Sequence, residues 1–314
     1  MSIAQRLADS ALINPGSDRV RSVAGLARRS ARSRAGRFLA EGPQCVREAL
    51  RAHLGEFESL VPAPRDGVID ALYITERALQ RHPDIDQLVE RVLQAEGSPR
   101  VFVRMVSDEV LAAMSDAEHP QGVLAVCRIP ELTWAQVAER RPRLVAVMCR
   151  VQDPGNAGTV LRAADAAGAD AVVLTAGSVD LHNPKVVRST AGSLFHLPVL
   201  TGLDPAELVG RPVSDAAGGE LQVLAADGYG ALELDELQDA SAAGREAAVE
   251  LARATAWLFG NEAQGLSEQE KTLASHRVAV PLHGAAESLN VGTAATLCLY
   301  ASARAQRRTA EGAA

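Results

Sequence analysis

Aromatic side chains make up only 3% of the 314 residues. That is too few for a broad platform on which unpaired bases stack. The four cysteines, Cys45, Cys127, Cys149 and Cys298, are scattered and include no Cys-x-x-Cys pair. This excludes a zinc ribbon and argues against a disulfide scaffold. The seven histidines show no His-x-x-x-His spacing, so a metal site has no support in the sequence. No apolar run reaches the roughly 18 residues that a membrane helix needs. The start, Met1-Ser2-Ile3-Ala4-Gln5-Arg6, lacks the apolar stretch of a secretory signal, which leaves the cytoplasm as the expected location. A Gly-x-Gly-x-x-Gly turn is missing as well. The nearest approach, Gly228-Tyr229-Gly230, has no third glycine and no clear helix after it, which disfavours a nicotinamide or nucleotide enzyme.

What is present is enough to build two domains. Hydrophobic residues account for 47% and charged residues for 23%, close to globular averages, so a sizeable core can form. The formal net charge is -7, but it is unevenly spread. Residues 1–51 carry ten arginines against four carboxylates. Lysine is nearly absent, with only Lys185 and Lys271. A basic end on an acidic body suggests an anionic partner for that end. Its candidate contacts are Arg28, Arg29, Arg32 and Arg37, in a segment also read as a solvated helix face.

Alternating strand and helix patterns predict a small α/β domain over 1–105. A helix is expected over 18–36, a strand at 38–42, and a helix over 43–53 opened by Pro43. Further strands are expected at 72–74 and 100–103, with helices near 76–81 and 84–94. Residues 106–142 contain the turn-rich Asp116-Ala117-Glu118-His119-Pro120-Gln121-Gly122 and read as a linker. From 143 to 314 the strands 144–149, 171–174, 221–225, 254–259 and 276–280 are nearly continuous apolar runs, the mark of a parallel sheet covered on both faces. Helices are expected at 157–167, 184–192, 240–253 and 288–304.

Three strand ends carry unusual chemistry. Asp153-Pro154-Gly155-Asn156-Ala157-Gly158-Thr159-Val160-Leu161-Arg162 lies between the first of these strands and its helix. It falls where open α/β sheets bind ligands. Asn156 is placed to cap that helix and Arg162 to lie on its exposed side; a capped helix with a solvated arginine is the plain alternative. Phe259-Gly260-Asn261-Glu262-Ala263-Gln264-Gly265 brings a carboxylate to a sheet end, followed by Ser267 and Glu270 at capping-box spacing. Val280-Pro281-Leu282-His283-Gly284-Ala285-Ala286-Glu287-Ser288-Leu289-Asn290 ends a strand and leads to the last helix, with Ser288 as its expected first residue.

Together and in this order, these stretches resemble the three motifs of the SpoU–TrmH family of RNA ribose 2′-O-methyltransferases, in the SPOUT superfamily. Asn156, Gly158, Arg162, Gly260, Asn261, Glu262, Gly265, Pro281, Ser288, Leu289 and Asn290 all fit, and the match covers about 143–305. Arg37-Phe38-Leu39-Ala40-Glu41-Gly42 is similar to a substrate-binding domain that resembles a small RNA-binding ribosomal protein. The resemblance implies an α/β sheet with a deep trefoil knot. It also implies S-adenosylmethionine held largely by backbone groups, at Gly260, Val280 and Leu289, with Asn261 and Leu282 beside them. It implies a homodimer that methylates RNA, with ribosomal RNA favoured over transfer RNA. Arg162 would hold a phosphate and stabilise a developing alkoxide, and Glu262 would orient Arg162. Asn156, Ser288 and Asn290 would position ribose or phosphate oxygens. A non-catalytic RNA-binding protein of the same fold is the remaining alternative.

Overall fold

The computed structural model describes residues 3–8, 11–57, 66–95, 99–210 and 220–312. The chain divides into two compact units, Met1–Glu131 with Asp180–His196, and Leu132–Val179 with Leu197–Ala314.

The first unit opens with α1 (Ile3–Ala8), α2 (Asp18–Gly25), α3 (Arg29–Ala35), β1 (Arg37–Glu41) and α4 (Pro43–His53). It continues with β2 (Ile69–Ile74), α5 (Glu76–Arg81), α6 (Pro83–Gln94), β3 (Phe102–Met105), α7 (Asp108–Met114) and β4 (Val123–Arg128). The sheet order is β1-β4-β2-β3; β4 is antiparallel to both neighbours, and β2 and β3 are parallel. Alternation along the strands feeds two cores. Phe38, Leu72 and Ile74 pack with Leu50, Ile85 and Val89 on one face. Leu39 and Tyr73 pack with Val20, Val23, Leu111 and Met114 on the other.

Three sequence expectations change here. The helix expected over 18–36 is two helices, broken at Leu26-Ala27-Arg28. The break is stabilised by Arg32, whose guanidinium donates to the carbonyls of Leu26 at 2.8 Å and Ala27 at 2.7 Å, groups that a helix end would otherwise leave unpaired. Arg32 also donates to Asp180 at 2.6 Å and is 3% exposed. It is therefore a buried strut and not an RNA contact. Residues 106–142 are no linker: β4 lies inside the sheet, its short apolar run disguised in the sequence by the turn-rich stretch before it. The helix Pro184–Ser189, expected in the second domain, belongs to the first unit. Val187 and Phe195 enter its core, and Arg188 pairs with the buried Glu41 at 2.9 Å.

The second unit has α8 (Trp134–Ala138), β5 (Leu144–Met148), α9 (Pro154–Ala167), β6 (Ala171–Thr175), β7 (Val199–Leu203), β8 (Gln222–Ala226) and β9 (Leu232–Glu233). The Pro184–Ser189 helix is α10. There follow α11 (Leu234–Ala242), β10 (Thr255–Phe259), α12 (Glu268–Leu273), β11 (His276–Ala279) and α13 (Val291–Gly312). The sheet order is β7-β6-β5-β10-β8-β11-β9 and every pairing is parallel. β5, β6 and β10 are buried along their whole length. The helix expected over 240–253 instead ends early, at α11, where Gly244 takes a left-handed φ of 63°. Among the described residues no helix is long and apolar enough to cross a membrane.

His182 lies on Phe38 with ring centroids 4.7 Å apart. Burial pushes its imidazole down to about 4; Asp180 acts in the opposite direction and Arg32 reinforces the shift. The unfolded chain takes up this proton near pH 6.5 and the folded unit only near 4. Protons therefore favour unfolding across that window, and stability falls as pH drops through it. Denaturation midpoints should fall between neutral pH and about 4, and His182→Gln should flatten the fall.

Candidate active site at the carboxyl edge of the sheet

The register brings three loops to one edge. Phe259 pairs with both Met148 and Ala226, and Ala226 pairs with Val278. The segments after β5, β10 and β11 thus leave the sheet on the same side, where parallel sheets place their ligands.

The first of them turns into α9 at Asp153, which caps the helix by accepting from the Asn156 N–H at 2.7 Å. Asn156 is therefore not the cap expected from the sequence. That leaves its side chain free to bridge: Nδ2 donates to Glu262 at 3.0 Å, and Oδ1 accepts from Asn290 Nδ2 at 2.8 Å. Glu262 also accepts from the backbone N–H groups of Asp153 at 3.3 Å and Gln152 at 3.4 Å. Partial burial pushes the Glu262 carboxyl up, but the hydrogen bonds from Asn156 and the backbone outweigh it and hold the group below its ordinary value. Asn290 completes the junction. Its Oδ1 accepts from the N–H groups of Gly292 at 2.9 Å and Thr293 at 3.4 Å. The last helix consequently starts at Val291 with Asn290 as its cap, not at Ser288. Asn156, Glu262 and Asn290 thus meet at one junction.

Arg162 and Ser288 stay outside this junction. Arg162 is exposed on α9, about 9 Å along the helix axis from Asn156. Among the described residues it has no hydrogen-bond or ion-pair partner, so Glu262 does not orient it. Ser288 is exposed and its hydroxyl is likewise without a partner among the described residues.

The loop after β10 is held by a pair that sequence reasoning missed. Arg150 donates to Glu270 from Nε at 3.0 Å and Nη2 at 2.8 Å, and to the Gly265 carbonyl at 3.2 Å. Glu270 also accepts from the Ser267 N–H at 2.6 Å, completing the expected capping box. That capping role hid the second one. Asn261, expected at the cofactor, spends its side chain on its own loop and on tying that loop to the segment after β5. Nδ2 donates to the Arg150 carbonyl at 2.8 Å, and Oδ1 accepts from Ala263 at 3.0 Å and Gln264 at 3.1 Å. Its peptide groups pair with Gly265, so each polar group of Asn261 already has a partner within the protein. Gly260 allows two backbone segments to cross: a Cβ there would lie 2.3 Å from the Gly265 carbonyl carbon and 2.4 Å from the Leu266 nitrogen. Gly292 plays the same part between helices, where a Cβ would lie 2.6 Å from Thr159 Cγ2.

The loop after β11 is different in kind. Among the described residues, the peptide groups of 281–289 make no hydrogen bond to the rest of the chain. Leu282 is 40% exposed, and Val280 and Leu289 are half-buried. Free donors and acceptors beside apolar side chains fit a cofactor with a flat apolar ring and polar arms, held by backbone. S-adenosylmethionine has that make-up. Among the described residues no cluster of three metal-ligating side chains is found.

Residues 143–300 match the SpoU rRNA Methylase family, and residues 17–125 match the MRM3-like substrate binding domain. The chain is 33% identical over 236 residues to the 23S rRNA (guanosine(2553)-2′-O)-methyltransferase RlmP of Bacillus subtilis, covering 74% of this chain and 86% of the relative. It is 31% identical over 203 residues to the 23S rRNA (uridine(2479)-2′-O)-methyltransferase of Streptomyces viridochromogenes, covering 64% and 67%. The crystal structure of the SpoU methyltransferase AviRb from Streptomyces viridochromogenes, in complex with AdoMet, superposes with a TM-score of 0.69 at 26% identity, covering 93% of this chain and 100% of that one.

The Gly260 crossing makes a sharp test. Gly260→Ala sets a methyl group against fixed backbone, and chemical denaturation should show a loss of about 2 kcal/mol or more.

Proposed function

The chain belongs to the SpoU rRNA methylase family, and on that premise we propose that it methylates a ribose 2′-hydroxyl of ribosomal RNA, using S-adenosylmethionine. The observation that carries this reading is the Glu262–Asn156–Asn290 junction, which ties the three motif loops together at one sheet edge. When bound, the cofactor supplies an electrophilic methyl group on a sulfonium.

The residues suited to hold it are Gly260, Val280, Leu282 and Leu289, the last three offering apolar flanks to the adenine. The peptide groups of 281–289 are available for its polar arms. Reaction requires the 2′-oxygen in line with the methyl carbon, and positioning of that kind lowers a barrier by up to about 7–11 kcal/mol in favourable cases. Arg162 does the positioning in this account. A guanidinium is never neutral in proteins and so is no base; exposed and unpaired, it can hold the neighbouring phosphate and stabilise charge developing on the ribose oxygen. The Ser288 hydroxyl is free to hydrogen-bond the sugar. Glu262 is a poor proton acceptor, because its carboxylate is held low by the bonds it already accepts. Its work is to fix Asn156 and the α9 entry. Asn290, with both ends of its amide engaged, fixes the start of α13.

Several features of the whole protein belong to the same proposal. Exposed Arg28 contacts RNA phosphates, as does exposed Arg29, which lies 3.9 Å from Asp180, whereas Arg37 already pairs with Asp70 at 3.1 Å and contributes less. The trefoil knot that the family resemblance implies is part of the proposal, and the packing of α13 on β5, β8 and β10 and along α9 supports it. It is a homodimer, for which the exposed Leu297 and Tyr300, on one side of α13, offer an apolar contact. The cytoplasm is its expected place.

With radiolabelled S-adenosylmethionine and protein-free 23S ribosomal RNA, label should be recovered in a 2′-O-methyl nucleoside. Label on a base, or none, would contradict the proposal. In the same assay Arg162→Ala should lose about 100-fold or more in turnover while cofactor affinity changes by less than about threefold.

A further inference from the structure

Most arginines of the first unit are neutralised by a carboxylate. Arg21 pairs with Asp18, Arg37 and Arg128 with Asp70, Arg47 with Asp84, and Arg91 with Glu56. Several are not, and two of these, near the start of α2 and on β3, share one aromatic ring. The Arg19 guanidinium carbon lies 4.1 Å from the centroid of the Phe102 ring, and that of Arg104 also lies 4.1 Å from it. Among the described residues neither has a carboxylate within ion-pair distance. Asp18, next to Arg19 in sequence, is taken by Arg21. Arg104 donates only to the Val103 carbonyl, at 2.8 Å.

Two like charges on one phenyl ring are an unusual arrangement. Each gains by stacking on the ring face, but they repel one another, and no ion pair among the described residues offsets the repulsion. Beneath them lies Tyr73, whose ring meets Phe102 edge-on at 6.3 Å. Its hydroxyl is buried without a hydrogen-bond partner among the described residues. An anion relieves the repulsion between the two guanidiniums, and the ring has already restricted the two long side chains, so less ordering entropy is lost when it binds.

The geometry points to Arg19 and Arg104, held on Phe102, as a prearranged clamp for phosphates of the RNA backbone. This rests on the reading that RNA is the substrate; Arg19 lies in the arginine-crowded segment of the sequence, and the structure joins to it Arg104, which that crowding does not reach. A backbone contact of this kind orients the RNA without reading its bases. It also makes affinity more sensitive to salt, since each neutralised phosphate releases counterions.

The test is the affinity of the full chain for protein-free 23S ribosomal RNA as salt is raised. The double variant R19Q/R104Q removes both charges from exposed or half-exposed positions and should leave the thermal melt unchanged. It should bind about tenfold more weakly at low salt, and its plot of log affinity against log salt should be shallower by about 1.5. Phe102→Leu keeps both charges but removes the stacking surface. It should weaken binding while leaving the salt slope as in the wild type. Wild-type affinity and slope in R19Q/R104Q would overturn the clamp. Failure of the wild-type chain to methylate ribose would instead overturn the proposed function, because the clamp is judged on binding alone.

Discussion

The Glu262 carboxylate accepts three hydrogen bonds at the mouth of a parallel sheet, from groups more than a hundred residues away in sequence. Through Asn156 the same junction reaches Asn290, and with it the start of the last helix. A parallel sheet by itself only delivers loops to a common edge; it does not fix their mutual positions. Here the fixing is done by short polar side chains bonded to one another and to the backbone. A charged acceptor makes each of these bonds stronger than a neutral one. It also lets one side chain order a helix entry and a loop at once. The groups that this frame leaves free are Arg162, the Ser288 hydroxyl and the peptide groups of 281–289. A methyl transfer between a cofactor and a polyanion needs groups of those kinds.

A second, half-buried tie is the Arg150–Glu270 pair with the Gly265 carbonyl. It holds the Gly260–Leu266 crossing, where the backbones approach too closely for any side chain at position 260. Glycine and asparagine in Gly260-Asn261-Glu262 therefore serve the loop itself. Asn261 also ties the loop to the Arg150 carbonyl, and the Glu262 carboxylate reaches Asn156 and the α9 entry.

Much of this was legible in the sequence because it is local. Apolar strand runs such as Leu144–Met148 and Thr255–Phe259 announce a buried parallel sheet, and Ser267 with Glu270 announces a cap. The family resemblance drew Asn156, Glu262 and Asn290 into one site. What stayed hidden depends on distance. Nothing local in Arg32 tells that it is buried against Asp180, 148 residues later, and charge crowding alone made it look like an RNA contact. The β4 strand was masked by the turn-rich stretch before it. The 180–196 segment looked like part of the second unit because chain order, not packing, is what a sequence displays. Arg150 gave no signal at all, since its partner Glu270 already had a sufficient local role.

The central claim is that the segments around 152–153, 260–265 and 281–289 form one cofactor site. Backbone hydrogen exchange with and without S-adenosylmethionine tests it most directly. The account predicts that the cofactor slows exchange in 281–289, where the peptide groups have no internal partners, and in the two neighbouring segments together. Protection confined to other parts of the chain, or none at saturating cofactor, would contradict it.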